Sequence, residues 1–162
     1  MRSVPEYDFF VNVNSDKFQE SKSLQNEYEN GEPDIKDKIF KSCIVHLFEM
    51  VKDKYYNYVI QKIFDCNFRE HGTILFNKLK DILYELQQDK YGSRVFQKMI
   101  EANRTPASNQ FNVLFGYIRN NLDELLYHEN GNFIIQKCLE VYTAIHLNWI
   151  LQQIEERVQI LL

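Results

Sequence analysis

Three pairs of side chains in this chain are equipped for specific hydrogen bonding: Asn57 with Gln61, Ser93 with Gln97, and Asn132 with Gln136. Each pair is spaced four residues apart, and the residue after its first member is flat: Tyr58, Arg94 or Phe133. Such a group offers donors, acceptors and a stacking plane together. A lysine follows each glutamine (Lys62, Lys98, Lys137), and an acid stands three positions further on (Asp65, Glu101, Glu140). This is the chemistry of recognition rather than of bond breaking. No Ser-His-Asp order, glycine-rich phosphate loop or metal-ligand spacing accompanies it, so the expectation is a non-enzyme with no cofactor, no metal and no small-molecule substrate.

The elements that hold these groups follow from their flanks. DKYYNYVIQKIFD from Asp53, DKYGSRVFQKMIE from Asp89 and HENGNFIIQKCLE from His128 are copies of one pattern. Wound as a helix at about 100° per residue, the first copy places Asn57, Tyr58 and Gln61 within one arc. Val59, Ile60, Ile63 and Phe64 gather on another side. A solvated helix face explains one polar trio; three in register require something that they serve.

A second helix type recurs between these copies. Cys43, Leu79, Ile118 and Ile154 form one apolar row, Leu47, Leu83, Leu122 and Val158 another, and Met50, Leu86, Leu125 and Leu161 a third, at spacings of 36, 39 and 36. The polar slots show the same 36 and 39 from Asn57 to Ser93 to Asn132. Two independent registers therefore place one three-residue insertion near EANRTPASNQ, a polar stretch with Pro106 that reads as a lengthened surface loop. Each unit is expected to hold one scaffold helix, a turn and a reader helix, too small to bury its apolar face alone. Stacking aligns like slots into a ladder.

A first copy, SKSLQNEYE, carries Ser21, Lys22 and Gln25 in the polar slots, with Ser23 and Glu27 where the others are apolar. Terminal repeats differ in this way when one flank meets solvent. Glu20 and Tyr56 occupy the slot that is glycine at Gly92 and Gly131. The division expected is a leader or cap over 1–14 and an array over 15–162, with repeats near 15–34, 35–70, 71–106 and 107–145 and an incomplete one over 146–162. Ile160 to Leu162 end the sequence with no reader helix to cover them.

Composition agrees with a helical fold. Of 162 residues 44% are hydrophobic and 14% aromatic, ample for a core, while five glycines and three prolines leave little turn chemistry for an all-β fold. The odd set Cys43, Cys66 and Cys138 reads as free thiols in a reducing compartment. The N-terminal residues lack the pattern of a signal peptide, and no apolar run is long enough to span a bilayer. A cytoplasmic chain without membrane contact is the default. A net charge of −4 runs against the basic face usual in proteins that grip phosphate backbones.

The frames NYVIQ, SRVFQ and NFIIQ, behind DKYG-like turns and spaced near 36 residues, resemble Pumilio (PUF) repeats over roughly Ser15 to Leu162. The order of trios is similar to the N-terminal half of an eight-repeat array. The resemblance implies an all-α, right-handed solenoid of about four stacked repeats, the last incomplete. It implies sequence-specific binding of single-stranded RNA in mRNA 3′ untranslated regions, one base per repeat, in post-transcriptional regulation alongside protein co-regulators. Carried over slot by slot, Asn57 with Gln61 and Asn132 with Gln136 would read uracil, and Ser93 with Gln97 and Ser21 with Gln25 adenine. Tyr58, Arg94, Phe133 and Lys22 would stand beside the bases as stacking groups. RNA running antiparallel to the repeats then gives 5′-UAUA-3′. The lysines Lys62, Lys98 and Lys137 are open to two readings, phosphate contacts or ordinary exposed helix residues. The competing reading of the whole chain is a helical-repeat scaffold that binds a protein without reading RNA.

Overall fold

A computed structural model of the chain describes residues 16–161, and among them every regular element is helical. The leader expected over 1–14, the Ser15 start of the array and the final Leu162 lie outside the described residues. In order come α1 (Lys17–Asn30), α2 (Pro33–Val45), α3 (Leu47–Met50), α4 (Asn57–Cys66), α5 (His71–Leu79), a 3-10 turn (Lys80–Ile82), α6 (Leu83–Gln88), α7 (Gly92–Ala102), α8 (Asn109–Asn120), α9 (Leu122–Tyr127), α10 (Gly131–Val141) and α11 (Ala144–Leu161). The expected reader helices are α1, α4, α7 and α10. They pack side by side in chain order, α1 on α4, α4 on α7 and α7 on α10. The result is an α-solenoid.

One expectation needs correction: in the three units before α11 the scaffold helix is two helices. The chain breaks at His46 (φ −110°, ψ 19°), Ile82 (φ −119°, ψ 26°) and Asn121 (φ −124°, ψ 19°). These positions are again 36 and 39 apart, and all three sit in the sparsely populated bridge region of backbone space. The break frees α6 and α9 to pack on the reader helices that follow them, α7 and α10. The apolar rows cross the break without interruption, which is why the segment reads as one helix from sequence. A unit therefore contains three helices.

The rows form the core. Cys43, Leu79, Ile118, Leu47, Leu83, Leu122, Met50, Leu86 and Leu125 are all buried, and so is a fourth row, Ile39, Leu75, Leu114 and Ile150, at the same spacings. Burying each such side chain contributes about 1.5–3 kcal/mol. In α11 the rows emerge into solvent: Ile154 is half-buried, while Val158 and Leu161 are 49% and 74% exposed. The lengthened loop lies where the two registers place it, between α7 and α8. Ser108 closes it by accepting the Phe111 amide at 3.1 Å as the cap of α8.

A buried polar chain ties the first three repeats together. His71 lies on Phe40 with ring centroids 3.9 Å apart and planes 4° from parallel. Tyr28 Oη and His71 Nδ1 are 2.7 Å apart, and His71 Nε2 and Asp37 Oδ1 3.1 Å. Arg69 donates to the other oxygen of Asp37. Burial keeps the Tyr28 hydroxyl protonated by pushing its pKa up, so it donates to Nδ1 while Nε2–H donates to Asp37. A neutral imidazole serves both bonds.

The same burial holds the His71 pKa below its ordinary value of 6.5, against the opposing pull of Asp37. As pH falls, the unfolded chain takes up this proton first. The stability that His71 contributes is complete above pH 6.5 and is lost as pH falls through that value towards the lower folded pKa. Urea midpoints measured from pH 8 to pH 5 should decline across this window in the native protein. The decline should be smaller in His71→Gln.

Candidate nucleic-acid interface

Each reader helix is launched by a side-chain acceptor in the preceding turn. Asp53 Oδ1 accepts the amides of Tyr55 and Tyr56 at 2.8 and 3.0 Å, and Asp89 Oδ1 those of Tyr91 and Gly92 at 2.9 and 2.7 Å. His128 Nδ1 takes the same place, accepting from Asn130 at 3.1 Å and Gly131 at 3.2 Å. This bonding is a local alternative to the helical ladder, and it explains why an acid or histidine opens each copy of the motif. The turn is legible from sequence, whereas this role of its first residue is not.

Gly92 and Gly131 are required by close approach. A Cβ on either would lie 2.9 Å from the carbonyl oxygen of Leu86 or Leu125. Tyr56 fills the equivalent slot in the second repeat, and there the turn differs: α4 begins one residue later than α7 and α10 do. The Tyr56 ring is buried, and its hydroxyl donates to Glu20 Oε2 at 2.9 Å, the residue in the same slot of the first repeat.

The structure brings the polar slots together, although not as two equally exposed groups. Asn57 is fully buried. Its Nδ2 donates to the carbonyls of Asp53 (2.8 Å) and Lys54 (3.1 Å), and its Oδ1 accepts from Gln61 Nε2 at 2.9 Å. Asn132 repeats this arrangement with His128 O, Glu129 O and Gln136 Nε2 at 3.0, 2.7 and 2.8 Å. Both amide hydrogens of the asparagine are thus spent on the turn, which fixes its oxygen towards the glutamine. That in turn fixes Nε2 of the glutamine inwards, leaving its Oε1 and second N–H to face out. Buried Ser93 donates to Lys90 O at 3.2 Å. Buried Ser21 donates to Tyr55 O at 2.7 Å and accepts from Gln25 Nε2 at 3.1 Å.

Flat side chains separate these slots. Tyr58 and Phe133 are 41% and 50% exposed. Between them stands Arg94, which donates to Tyr58 Oη at 2.6 Å and lies 5.6 Å from the centroid of Tyr91. Lys22 Nζ sits 4.4 Å from the Phe18 centroid. Two open grooves run along this face. One, of about 510 Å³, is lined by Ser93, Gln97, Arg94 and Phe133. The other, of about 500 Å³, is lined by Ser21, Gln25, Lys22, Tyr58 and Arg94.

Lys62, Lys98 and Lys137 are committed elsewhere. Lys62 pairs with Glu29 at 3.2 Å, Lys98 with Asp65 and Glu101 at 2.7 and 3.0 Å, and Lys137 with Glu140 at 2.9 Å. The acids of the motif thus pair with basic neighbours. The phosphate reading of the three lysines finds no support in this geometry. Among the described residues no cluster of potential metal ligands is present, no helix is long and apolar enough to cross a membrane, and the three cysteines are free thiols.

Residues 46–80, 84–107 and 121–155, together more than half of the chain, match the Pumilio-family RNA binding repeat. Among solved structures, the chain is 28% identical to the Puf3 RNA-binding domain bound to a Cox17 RNA 3′ UTR recognition sequence, with a TM-score of 0.72 over 84% of this chain and 38% of that one. It is 27% identical to PUF-8 in complex with PBE-RNA, with a TM-score of 0.70 over 84% and 39%. The RNA-binding domain of yeast Puf5p bound to SMX2 RNA, 20% identical with a TM-score of 0.68 over 86% and 42%, shares the fold. The chain thus spans about two fifths of the length of these structures. No curated protein is significantly similar to it in sequence.

The buried state of Asn57 has a measurable consequence. Asn57→Ala leaves the Lys54 carbonyl without its donor, takes one of two donors from Asp53 O and opens a cavity in the turn, with an expected loss of about 1–3 kcal/mol in urea unfolding. A loss below about 0.5 kcal/mol would place the side chain in solvent instead.

Proposed function

This chain belongs to the Pumilio family of RNA-binding repeat proteins, and on that premise we propose that it binds single-stranded RNA sequence-specifically, one base per repeat. The observation that carries this reading is the pair of grooves between successive flat side chains, each floored by a polar slot and its glutamine. A base entering such a groove finds a stacking plane beside it, worth about 1–3 kcal/mol per base. Its edge meets an amide at the floor.

The hydrogen bonds favour particular bases. With Asn57 holding Gln61, and Asn132 holding Gln136, the outward acceptor and donor complement the N–H and carbonyl oxygen that adjoin on the uracil edge. Ser93 is shorter and bonds Lys90 O, so the Gln97 amide is free to adopt the orientation that an adenine edge requires. Gln25 Nε2 donates to Ser21 Oγ, so the assignment of Ser21 with Gln25 to adenine rests on the family resemblance of the slot. Read antiparallel to the repeats, as in the family, the site is 5′-UAUA-3′. The role that follows is recognition of mRNA 3′ untranslated regions in cytoplasmic post-transcriptional regulation. In the structures it is similar to, the Puf3 domain is bound to a 3′ UTR recognition sequence.

A protein-binding scaffold is the second reading, favoured by the net charge of −4 and by the ion-paired lysines. Titration of labelled UAUA-containing RNA against a scrambled RNA separates the two: selective binding supports base reading, and equal binding supports the scaffold. Within a selective protein, Asn57→Ser should shift preference at the matching base from uracil towards adenine by about 1 kcal/mol. Unchanged selectivity at that base would remove Asn57 from the reading set.

A further inference from the structure

The reader turns carry a second register that the base-reading slots do not use. Its first position runs Phe18, Lys54, Lys90 and Glu129, and its second Gln19, Tyr55, Tyr91 and Asn130, at spacings of 36, 36 and 39. Lys54 Nζ lies 5.2 Å from the Tyr55 centroid and Lys90 Nζ 5.8 Å from that of Tyr91, so each ammonium is held against its neighbouring ring. Both lysines are exposed, and among the described residues neither forms an ion pair, in contrast to Lys62, Lys98 and Lys137.

Their placement is what matters. Lys54 and Lys90 both line the groove beside Tyr58 and Arg94, and Lys90 also lines the next groove, beside Phe133. Lys90 therefore stands on the rim between two successive base positions. A strand whose bases point to the groove floor carries its phosphates along the rim. These two exposed cations of an acidic chain are placed to meet them. At the fourth repeat the slot holds Glu129, which lines the Phe133 groove and repels a phosphate there.

Resting on the RNA reading above, we propose that Lys54 and Lys90 are backbone-phosphate contacts of this chain, and that Glu129 ends the track. Such contacts hold the strand in register without choosing its sequence. The test measures binding of UAUA-containing and scrambled RNA between 50 and 200 mM salt, in the native protein, Lys54→Gln/Lys90→Gln, Lys62→Gln and Glu129→Lys. Each phosphate contact contributes about 0.7 to the slope of log affinity against log salt, so the double variant should lose about 1.4. Its UAUA-to-scrambled ratio should not change. Lys62→Gln should keep the native slope, and Glu129→Lys should steepen it by about 0.7. An unchanged slope in the double variant overturns the proposal even where selectivity persists. Equal binding of the two RNAs by the native protein overturns base reading instead, and the slopes still decide the phosphate contacts. No binding to either RNA at the lowest salt sinks both.

Discussion

Everything on the recognition face depends on how a reader helix begins. In the turns at Asp53, Asp89 and His128 one side-chain atom accepts two backbone amides, and the next turn of chain is fixed by that grip. The side chains of Asn57 and Asn132 then donate to the carbonyls of Asp53 and Lys54 and of His128 and Glu129. Orientation passes outwards step by step: the turn fixes the asparagine, the asparagine fixes the glutamine, and the glutamine presents a defined edge. Order at the surface is inherited from a backbone constraint two links below it. Preorganisation of this kind reduces what a ligand has to immobilise on binding.

The charges follow the same periodicity but serve two purposes. Lys62 with Glu29 joins α4 to α1 and Lys98 with Asp65 joins α7 to α4, while Lys54 and Lys90 remain at the groove rim. Partly exposed ion pairs contribute little stability each, with a median of about 0–1 kcal/mol. Their value here lies in placing positive charge away from the groove and neutralising it there. A net charge of −4 is thereby compatible with a locally positive rim.

Much of this was legible from residue spacing. Periods of 36 and 39 in two registers give the unit, the solenoid and the place of the longer loop, because stacking forces equal slots into equal environments. The polar trios were also legible as a file. What spacing could not reveal was direction within a side chain. Asn57 and Gln61 look like equal partners on a helical wheel, yet one is buried and the other half-exposed. The break at His46, Ile82 and Asn121 was invisible for a different reason: apolar residues continue through it, and three unlike residues adopt the same backbone angles. Lys54 and Lys90 lay in the motif throughout. Their freedom stands out once Lys62, Lys98 and Lys137 are seen to be paired.

The Glu20–Tyr56 contact reaches beyond its own energy. The two residues fill a slot that is glycine in the later repeats, and they meet across the interface. Ser21 also bonds Tyr55 O across it, Lys17 pairs with Asp53, and the Tyr28–His71–Asp37 chain carries the contact on to the helix that opens the third repeat. The first two repeats are consequently not interchangeable cassettes. Anyone shuffling repeats of this chain would have to move this couple as a single block, or replace both partners of every such bond at once.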